Sequence, residues 1–298
     1  MKLTDQDIEA IAQRIAGDFR APSSVPSALA ASAASPSDGG FSGEMGVFAT
    51  VDEAVKAANK AKPVFIGLPL NARRAIIQNI RDVMRENATL LAKAAYEETG
   101  YGRFEDKIQK NLLVIEKSLG TEALQPHACT GEHGLTLTEY APFGCLGAIT
   151  PTTNPTSTII CNAICMLAAG NVVVFNVHPS ARLCSIQTVV LLNKAITAVG
   201  GPPNAVVCVS QPTIESAGEL MKHPGIRVIV VTGGGGVVKA AMSSGKRAIC
   251  AGPGNPPVVV DETADIEKAG ASIVQGASFD NNMICIEEKE TIVVASVA

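Results

Sequence analysis

No run of about twenty apolar residues occurs in the 298-residue chain, so no segment reads as a membrane-spanning helix. A basic excess is missing too. The chain carries 24 Lys and Arg against 28 Asp and Glu, a net charge of −4 and a pI of about 5.6, which leaves no electrostatic footprint for nucleic acid. The opening MKLTDQDIEAIAQRI has early acids and no apolar signal-peptide core, which predicts a cytoplasmic protein with reduced thiols. Disulfides are therefore not expected among its eight cysteines. No C-x-x-C pair occurs: Cys161 and Cys165 lie in the apolar run TIICNAICMLAA, and the His127, Cys129, His133 cluster lacks a zinc-site pattern, so no metal site is expected.

What is present is globular in composition, with 47% hydrophobic and 17% charged residues, and long enough to bury a core as two domains or one large α/β unit. Residues 4–19 read as a short amphipathic helix capped by Thr4, with Ile8, Ile11, Ala12, Ile15 and Phe19 on one stripe. The low-complexity stretch APSSVPSALAASAASPSDGG follows, too poor in large apolar residues to fold by itself, so the helix reads either as a tethered docking peptide or as a helix that folds back on its own domain. Helices are expected near 51–61, from 71 through 91, and over 102–119. LTLTEYAPFG, residues 135–144, alternates and then breaks at Pro142 and Gly144, as a strand or hairpin arm does.

From Cys145 the short runs CLGAIT, NVVVFN, AVVCVS, VIVVTG and RAICAG alternate with helical or turn segments. Fully apolar strands joined by crossovers predict an α/β fold whose parallel sheet is covered on both faces. Ligands of such sheets sit beyond the carboxyl ends of the strands. Those ends carry residues 151–155 (PTTNP), 177–180 (VHPS) and the glycine run 233–236, which are expected on one rim. The glycine run is not a G-x-G-x-x-G fingerprint, because Val238 stands where the last glycine belongs, and it lacks the Lys-Ser/Thr pair of a P-loop. It reads either as a less common nucleotide-binding turn at a helix N-terminus or as a tight turn. Asn154, flanked by Pro151 and Pro155, is placed to donate to a developing oxyanion or to bond its own backbone. In SFDNNMIC, residues 278–285, Cys285 is the candidate nucleophile, since a thiolate attacks a carbonyl without a metal.

The order of TPTTNP, a strand ending in HPS, TGG before a helix, AGPGNPP and SFDNNMIC resembles the aldehyde dehydrogenase superfamily. Within it, the pattern is most similar to the CoA-acylating acetaldehyde and propionaldehyde dehydrogenases of bacterial microcompartments. The resemblance covers residues 44–298, with AGNVVVF, DETADIEKA and GASFDNN also in keeping. It implies a Rossmann-like NAD- and CoA-binding domain over 44–256, including the start of an oligomerisation arm near 130–143. Residues 257–298 would then begin an α/β catalytic domain holding the nucleophile, and the chain, which stops at VVASVA, reads as truncated. Residues 1–20 resemble an encapsulation peptide for a shell protein, with 21–43 as linker, which implies a homo-oligomer, dimer or tetramer, inside a microcompartment.

The chemistry implied is attack of Cys285 on a short aldehyde, hydride transfer to NAD, and release of the thioester to coenzyme A. Asn154 and the Cys285 backbone N–H would hold the oxyanion. Thr232, Gly233, Gly234 and Val237 would follow the cofactor, Thr150, Pro151 and Thr152 would approach its nicotinamide, and His178, Pro179 and Ser180 its adenosine end. Hydrolytic relatives usually have lysine at the His178 position, so NAD is expected over NADP. Their Glu-Leu-Gly-Gly motif supplies a water-activating glutamate, whereas this chain has Ala251, Gly252, Pro253 and Gly254. Loss of that base slows hydrolysis on the order of 10² to 10⁴ and leaves room for a pantetheine thiol. Two other readings stay open: a hydrolytic enzyme giving free acid, and an inactive nucleotide-binding or cargo module.

Overall fold

The computed structural model describes residues 46–298. The helix expected over residues 1–20 and the linker over 21–43 lie outside the described residues.

A two-residue strand, β1 (Val47–Phe48), leads into α1 (Val51–Ile66) through a capping box. Thr50 Oγ1 accepts from Glu53 N at 3.2 Å, and Glu53 Oε2 accepts from Thr50 N at 3.1 Å, so two amides at the helix start are satisfied. This helix outruns the expected 51–61 and passes over Pro63. Beyond the proline the helix runs one further turn and is closed by Gly67 N donating to Pro63 O at 3.1 Å. The helix expected from 71 through 91 is two helices, α2 (Leu70–Glu86) and α3 (Ala88–Thr99). Asn87 divides them: its backbone leaves the helical region at φ −102, ψ 6, and its Nδ2 donates to Val83 O at 2.8 Å. A side-chain amide that takes a ladder carbonyl offers the chain another direction, and helical periodicity does not register it. Then come α4 (Phe104–Lys117) and a hairpin of β2 (His127–Gly131) and β3 (Gly134–Thr138), every residue of which is exposed.

The remainder alternates: β4 (Cys145–Ile149), α5 (Pro155–Ala168), β5 (Val172–Asn176), α6 (Arg182–Ala198), β6 (Val206–Val209), α7 (Ile214–Lys222), β7 (Val228–Thr232), α8 (Gly235–Met242) and β8 (Arg247–Ala251). These strands and β1 form one parallel sheet in the order β1-β6-β5-β4-β7-β8. Every residue of β4, β5 and β6 is buried, which is why they read as unbroken apolar runs. Helices α1 and α7 cover one face, α5 and α6 the other, with α2, α3 and α4 packed outside these. The core between them includes Phe65, Ile160, Leu167, Phe175 and Leu192, each fully buried.

The chain runs from β4 through β5 to β6 on one side, then returns through α7 to place β7 on the other side of β4. The order therefore reverses at β4 and β7, and the turns leaving their carboxyl ends diverge. Beyond the sheet, β9 (Pro257–Val260), α9 (Ile266–Ser278) and β10 (Glu290–Val293) form a small parallel unit, in which α9 has no buried residue. Among the described residues no helix is long and apolar enough to cross a membrane.

The burial contrast is testable by urea unfolding followed by circular dichroism. Phe175→Ala in β5 is expected to cost about 3–5 kcal/mol, while Leu137→Ala in the hairpin should stay within about 0.5 kcal/mol. Equal losses would place the core elsewhere.

Candidate active site

Divergence of the turns at the switch point opens a cavity of about 960 Å³, within the size range that holds a nucleotide or similar ligand. Three strand ends contribute to its wall: residues 150–154 after β4, 176–179 around the end of β5, and Thr232, Gly233 and Gly234 after β7. Gly236 and Val237 of α8, Gly252, Gly254 and residues 282–285 complete the side nearest the thiol, with Thr213, Ile214 and Ala217 on the α7 side. Twelve of the fourteen site residues expected from sequence thus share one cavity: Thr150, Pro151, Thr152, Asn154, His178, Pro179, Thr232, Gly233, Gly234, Val237, Gly252 and Cys285. Ser180 and Ala251 stand outside its lining. Ser180 N donates to His178 Nδ1 at 3.1 Å, and Ala251 O accepts from Gly233 N at 3.1 Å, so each braces a residue that does line the cavity.

The polar groups on the wall have open valences. Thr150 Oγ1 and Thr152 Oγ1 are buried without a protein partner although both residues line the cavity. Such atoms are commonly satisfied by a ligand or ordered water. Helix α8 begins inside the glycine run, at Gly235, so two of the four glycines belong to the helix itself. Open space lies where Cβ atoms of Gly234, Gly235 and Gly236 would stand, and the first amides of the helix have no intrahelical partner. Burial pushes the His178 imidazole below its ordinary value, so the ring is neutral at neutral pH and adds no positive charge to the rim.

All eight cysteines are free thiols, and their surroundings separate them. Desolvation pushes Cys145 and Cys208 each up to about 12 and raises Cys184 as well, which suits inert core positions. On α5, Cys161 and Cys165 lie one helical turn apart, so ionisation of one is eased by the neighbouring thiol and that of the second is resisted. Neither lines the cavity, and neither do Cys129 and Cys250. Cys285 does.

Its segment is held from several directions. After α9 a single 3₁₀ turn, Phe279–Asn282, carries three successive left-handed residues: Asp280 at φ 46, Asn281 at φ 55 and Asn282 at φ 59. Asn281 Nδ2 donates to Gly102 O at 3.1 Å, and Asn282 Nδ2 to Ala277 O at 2.7 Å. Lys289 Nζ donates to Ile284 O and to Asn282 O, each at 3.2 Å, while Ile284 N donates to Glu287 Oε2 at 3.0 Å. On the facing loop, a Cβ at Gly254 would fall 2.0 Å from the Cys285 carbonyl oxygen.

Asn154 is the N-cap residue of α5, yet its side chain makes no capping bond. Nδ2 donates to Thr153 Oγ1 at 3.0 Å, and Oδ1 accepts from Lys110 Nζ at 2.7 Å. Lys110 also pairs with Asp280, which is fully buried, and Lys107 Nζ lies 3.6 Å from the same carboxylate. Lys107, Lys110 and Asp280 were not anticipated from sequence. The two lysines sit one turn apart on a helix and look like an ordinary solvated face, and only folding brings Asp280 to them from the far end of the chain.

The family profile described as "Aldehyde dehydrogenase family" matches residues 39–298. An acetylating acetaldehyde dehydrogenase, EutE, of Salmonella typhimurium is 52% identical over 257 residues, covering 86% of this chain and 54% of that protein. Two solved structures are similar. The propionaldehyde dehydrogenase of Rhodopseudomonas palustris, with bound CoA and an acylated cysteine, is 52% identical with a TM-score of 0.83, over 85% of this chain and 58% of that one. The propionaldehyde dehydrogenase of the Clostridium phytofermentans fucose utilisation microcompartment is 50% identical with a TM-score of 0.82, again over 85% and 58%. The chain spans about half the length of the curated relatives it matches.

The two glycines of the facing loop should respond differently to a methyl group. Gly254→Ala is expected to destabilise by about 1–3 kcal/mol through overpacking. Gly252→Ala, whose nearest neighbour would be Val238 Cγ2 at 3.9 Å, should be close to neutral. Thermal unfolding of the pair checks this, and a neutral Gly254→Ala would refute the close approach.

Proposed function

The chain belongs to the aldehyde dehydrogenase family, and from that premise we propose that it serves the CoA-acylating oxidation of a short aliphatic aldehyde, acetaldehyde or propionaldehyde. NAD is the hydride acceptor. One observation carries the choice of acylation over hydrolysis: among the described residues, no Asp or Glu side chain lines the cavity that holds Cys285.

The cavity fits a nucleotide. Thr150 and Thr152 hydroxyls await partners, Gly233 and Gly234 let backbone come close, and the N-terminus of α8 favours negative charge. The neutral His178 ring offers no counter-charge to a 2′-phosphate, which favours NAD over NADP. When bound, the nicotinamide supplies the two-electron oxidation. Thr232 and Val237 would lie along the dinucleotide, with Thr150, Pro151 and Thr152 toward its nicotinamide and His178, Pro179 and Ser180 toward its adenosine end.

The chain's own residues supply the rest. The Cys285 thiolate adds to the aldehyde carbonyl, and the oxygen that gains charge is held by Asn154 Nδ2 and the Cys285 N–H. After oxidation, Cys285 carries the acyl group as a thioester. Water attack on it needs a base to take the proton, and the position where a hydrolytic enzyme would have glutamate is Ala251. The thiol of coenzyme A is the better nucleophile at neutral pH, and the small residues Ala251 and Gly252 leave room for its pantetheine arm.

Residues 44–256 are read as the nucleotide-binding domain and 257–298 as the start of the catalytic domain, in keeping with the separate β9–β10 sheet. The exposed β2–β3 hairpin, with Leu135 and Leu137 uncovered, suits an arm that joins subunits of a homo-oligomer. Residues 1–20 would dock the protein to a microcompartment shell protein.

Cys285→Ala is expected to abolish NADH formation while changing nucleotide affinity less than about twofold. Substantial residual turnover would move the nucleophile to another cysteine. Omitting CoA should stop multiple turnover; NADH appearing equally fast, with free acid as product, would sink the acylating reading. Removal of residues 1–20 should leave turnover intact and prevent shell association, and association that survives the deletion refutes the docking role.

A further inference from the structure

Helix α4 turns two lysines inward where a surface helix would normally place them in water. Lys107 is 3% exposed and Lys110 6%, and both face Asp280, which is 0% exposed. The carboxylate is fully engaged: Oδ2 faces the two lysines, and Oδ1 accepts from Arg103 N at 2.8 Å. Its backbone is held too, since Asp280 N donates to Asp106 Oδ2 at 2.8 Å. A Cβ at Gly102 would strike Asp280 Oδ1 at 2.1 Å, so the α4 entry loop is shaped around this carboxylate. Removing charges from water is costly, and a buried ion cluster needs a compensating reason to exist.

The reason lies at Asn154. An ammonium group donates and never accepts, so the amide atom facing Lys110 at 2.7 Å must be the oxygen. That contact fixes the flip of the carboxamide and leaves Nδ2 as its other end. One of the two Nδ2 hydrogens goes to Thr153 Oγ1, and the second has no protein partner among the described residues, although Asn154 lines the cavity. A cation on the amide oxygen also draws electron density from the nitrogen, which strengthens the remaining N–H as a donor to an anion. Lys110 is thus the cation directly behind that donor.

We propose that Lys110 is a positioning residue for the oxyanion donor: held by Asp280, it fixes and polarises the Asn154 amide, and the same carboxylate ties that donor to the loop carrying Cys285. The inference rests on the acyl-transfer reading and adds the part of the protein that acts through Asn154. Lys107 shares the carboxylate but has no contact with the Asn154 side chain; its Nζ reaches Thr153 O at 3.5 Å. It therefore serves as an internal control with the same burial.

The test needs neither nucleotide nor CoA. With p-nitrophenyl acetate, the Cys285 thiolate attacks the ester carbonyl, p-nitrophenolate leaves, and a thioester forms, so the burst of p-nitrophenolate reports a step that passes through an oxyanion. Alkylation of Cys285 by iodoacetamide displaces iodide at a saturated carbon and develops none. Lys110→Met is expected to slow the burst about 10²-fold, the usual effect of losing one such donor, and to leave alkylation within about twofold. Lys110→Gln, which keeps a neutral N–H donor, should slow it roughly tenfold and covers the case in which Lys110→Met fails to fold. Lys107→Met should lose less than either. In the double variant with Asn154→Ala, Lys110→Met should add nothing to the loss from Asn154→Ala alone. Equal slowing of acylation and alkylation, or an additive double variant, would overturn the positioning role. A burst undiminished in Asn154→Ala would instead overturn the oxyanion reading of Asn154, and the inference with it.

Discussion

Everything at this site follows from the place of β4 in the sheet. After the two-residue β1 it is the first strand of the sheet in sequence, yet it lies inside the sheet with two strands beyond it on one side, so its neighbours β5 and β7 are reached by crossovers that leave in opposite directions. A parallel sheet sends all its strands out at one edge, and where the crossovers diverge no helix can cover the gap. The cavity is thus a product of topology before any side chain is chosen. Residue choice then decides what it does: glycine where backbone must come close, hydroxyls with no protein partner, and a thiol from a segment more than a hundred residues later than β4 in the chain.

The fold was largely legible in the sequence because buried parallel strands announce themselves. VVVFN and VVCV have no polar face to hide, and their separation by helix-length intervals permits few other architectures. The turns that follow them were legible for the same reason, since proline and glycine stand where the apolar runs stop. Less visible was whatever depends on a side chain replacing a backbone partner. Asn87 divides a helix whose apolar spacing runs on unbroken, and Pro63 lies within one that was expected to end before it. The ion cluster was out of reach altogether. Lysine and aspartate are surface residues by habit, and nothing local to FEDKIQKN distinguishes a buried pair of lysines from a solvated one.

Selection among eight cysteines shows how environment divides one side chain into different chemistries. Three sit in the packed interior, where the cost of a charge keeps the thiol protonated and unreactive. Two lie one turn apart on α5, and neither lines the cavity. The thiol of Cys285 is placed where ligand arrives, and its backbone is pressed against Gly254 closely enough that the segment has little freedom to move aside.

The three left-handed residues before Cys285 have a consequence for how the protein fails. Asp and Asn enter this region more readily than other non-glycine residues, and the turn is held in it by contacts to Gly102, Arg103 and Asp106 and by the buried Lys107 and Lys110. Those contacts come from α4 and the loop that enters it, not from the sheet. Any loosening of α4 would therefore release this turn and shift the thiol while the sheet and the cavity's other walls stand. A sample in that condition would be well folded by every global measure and already silent.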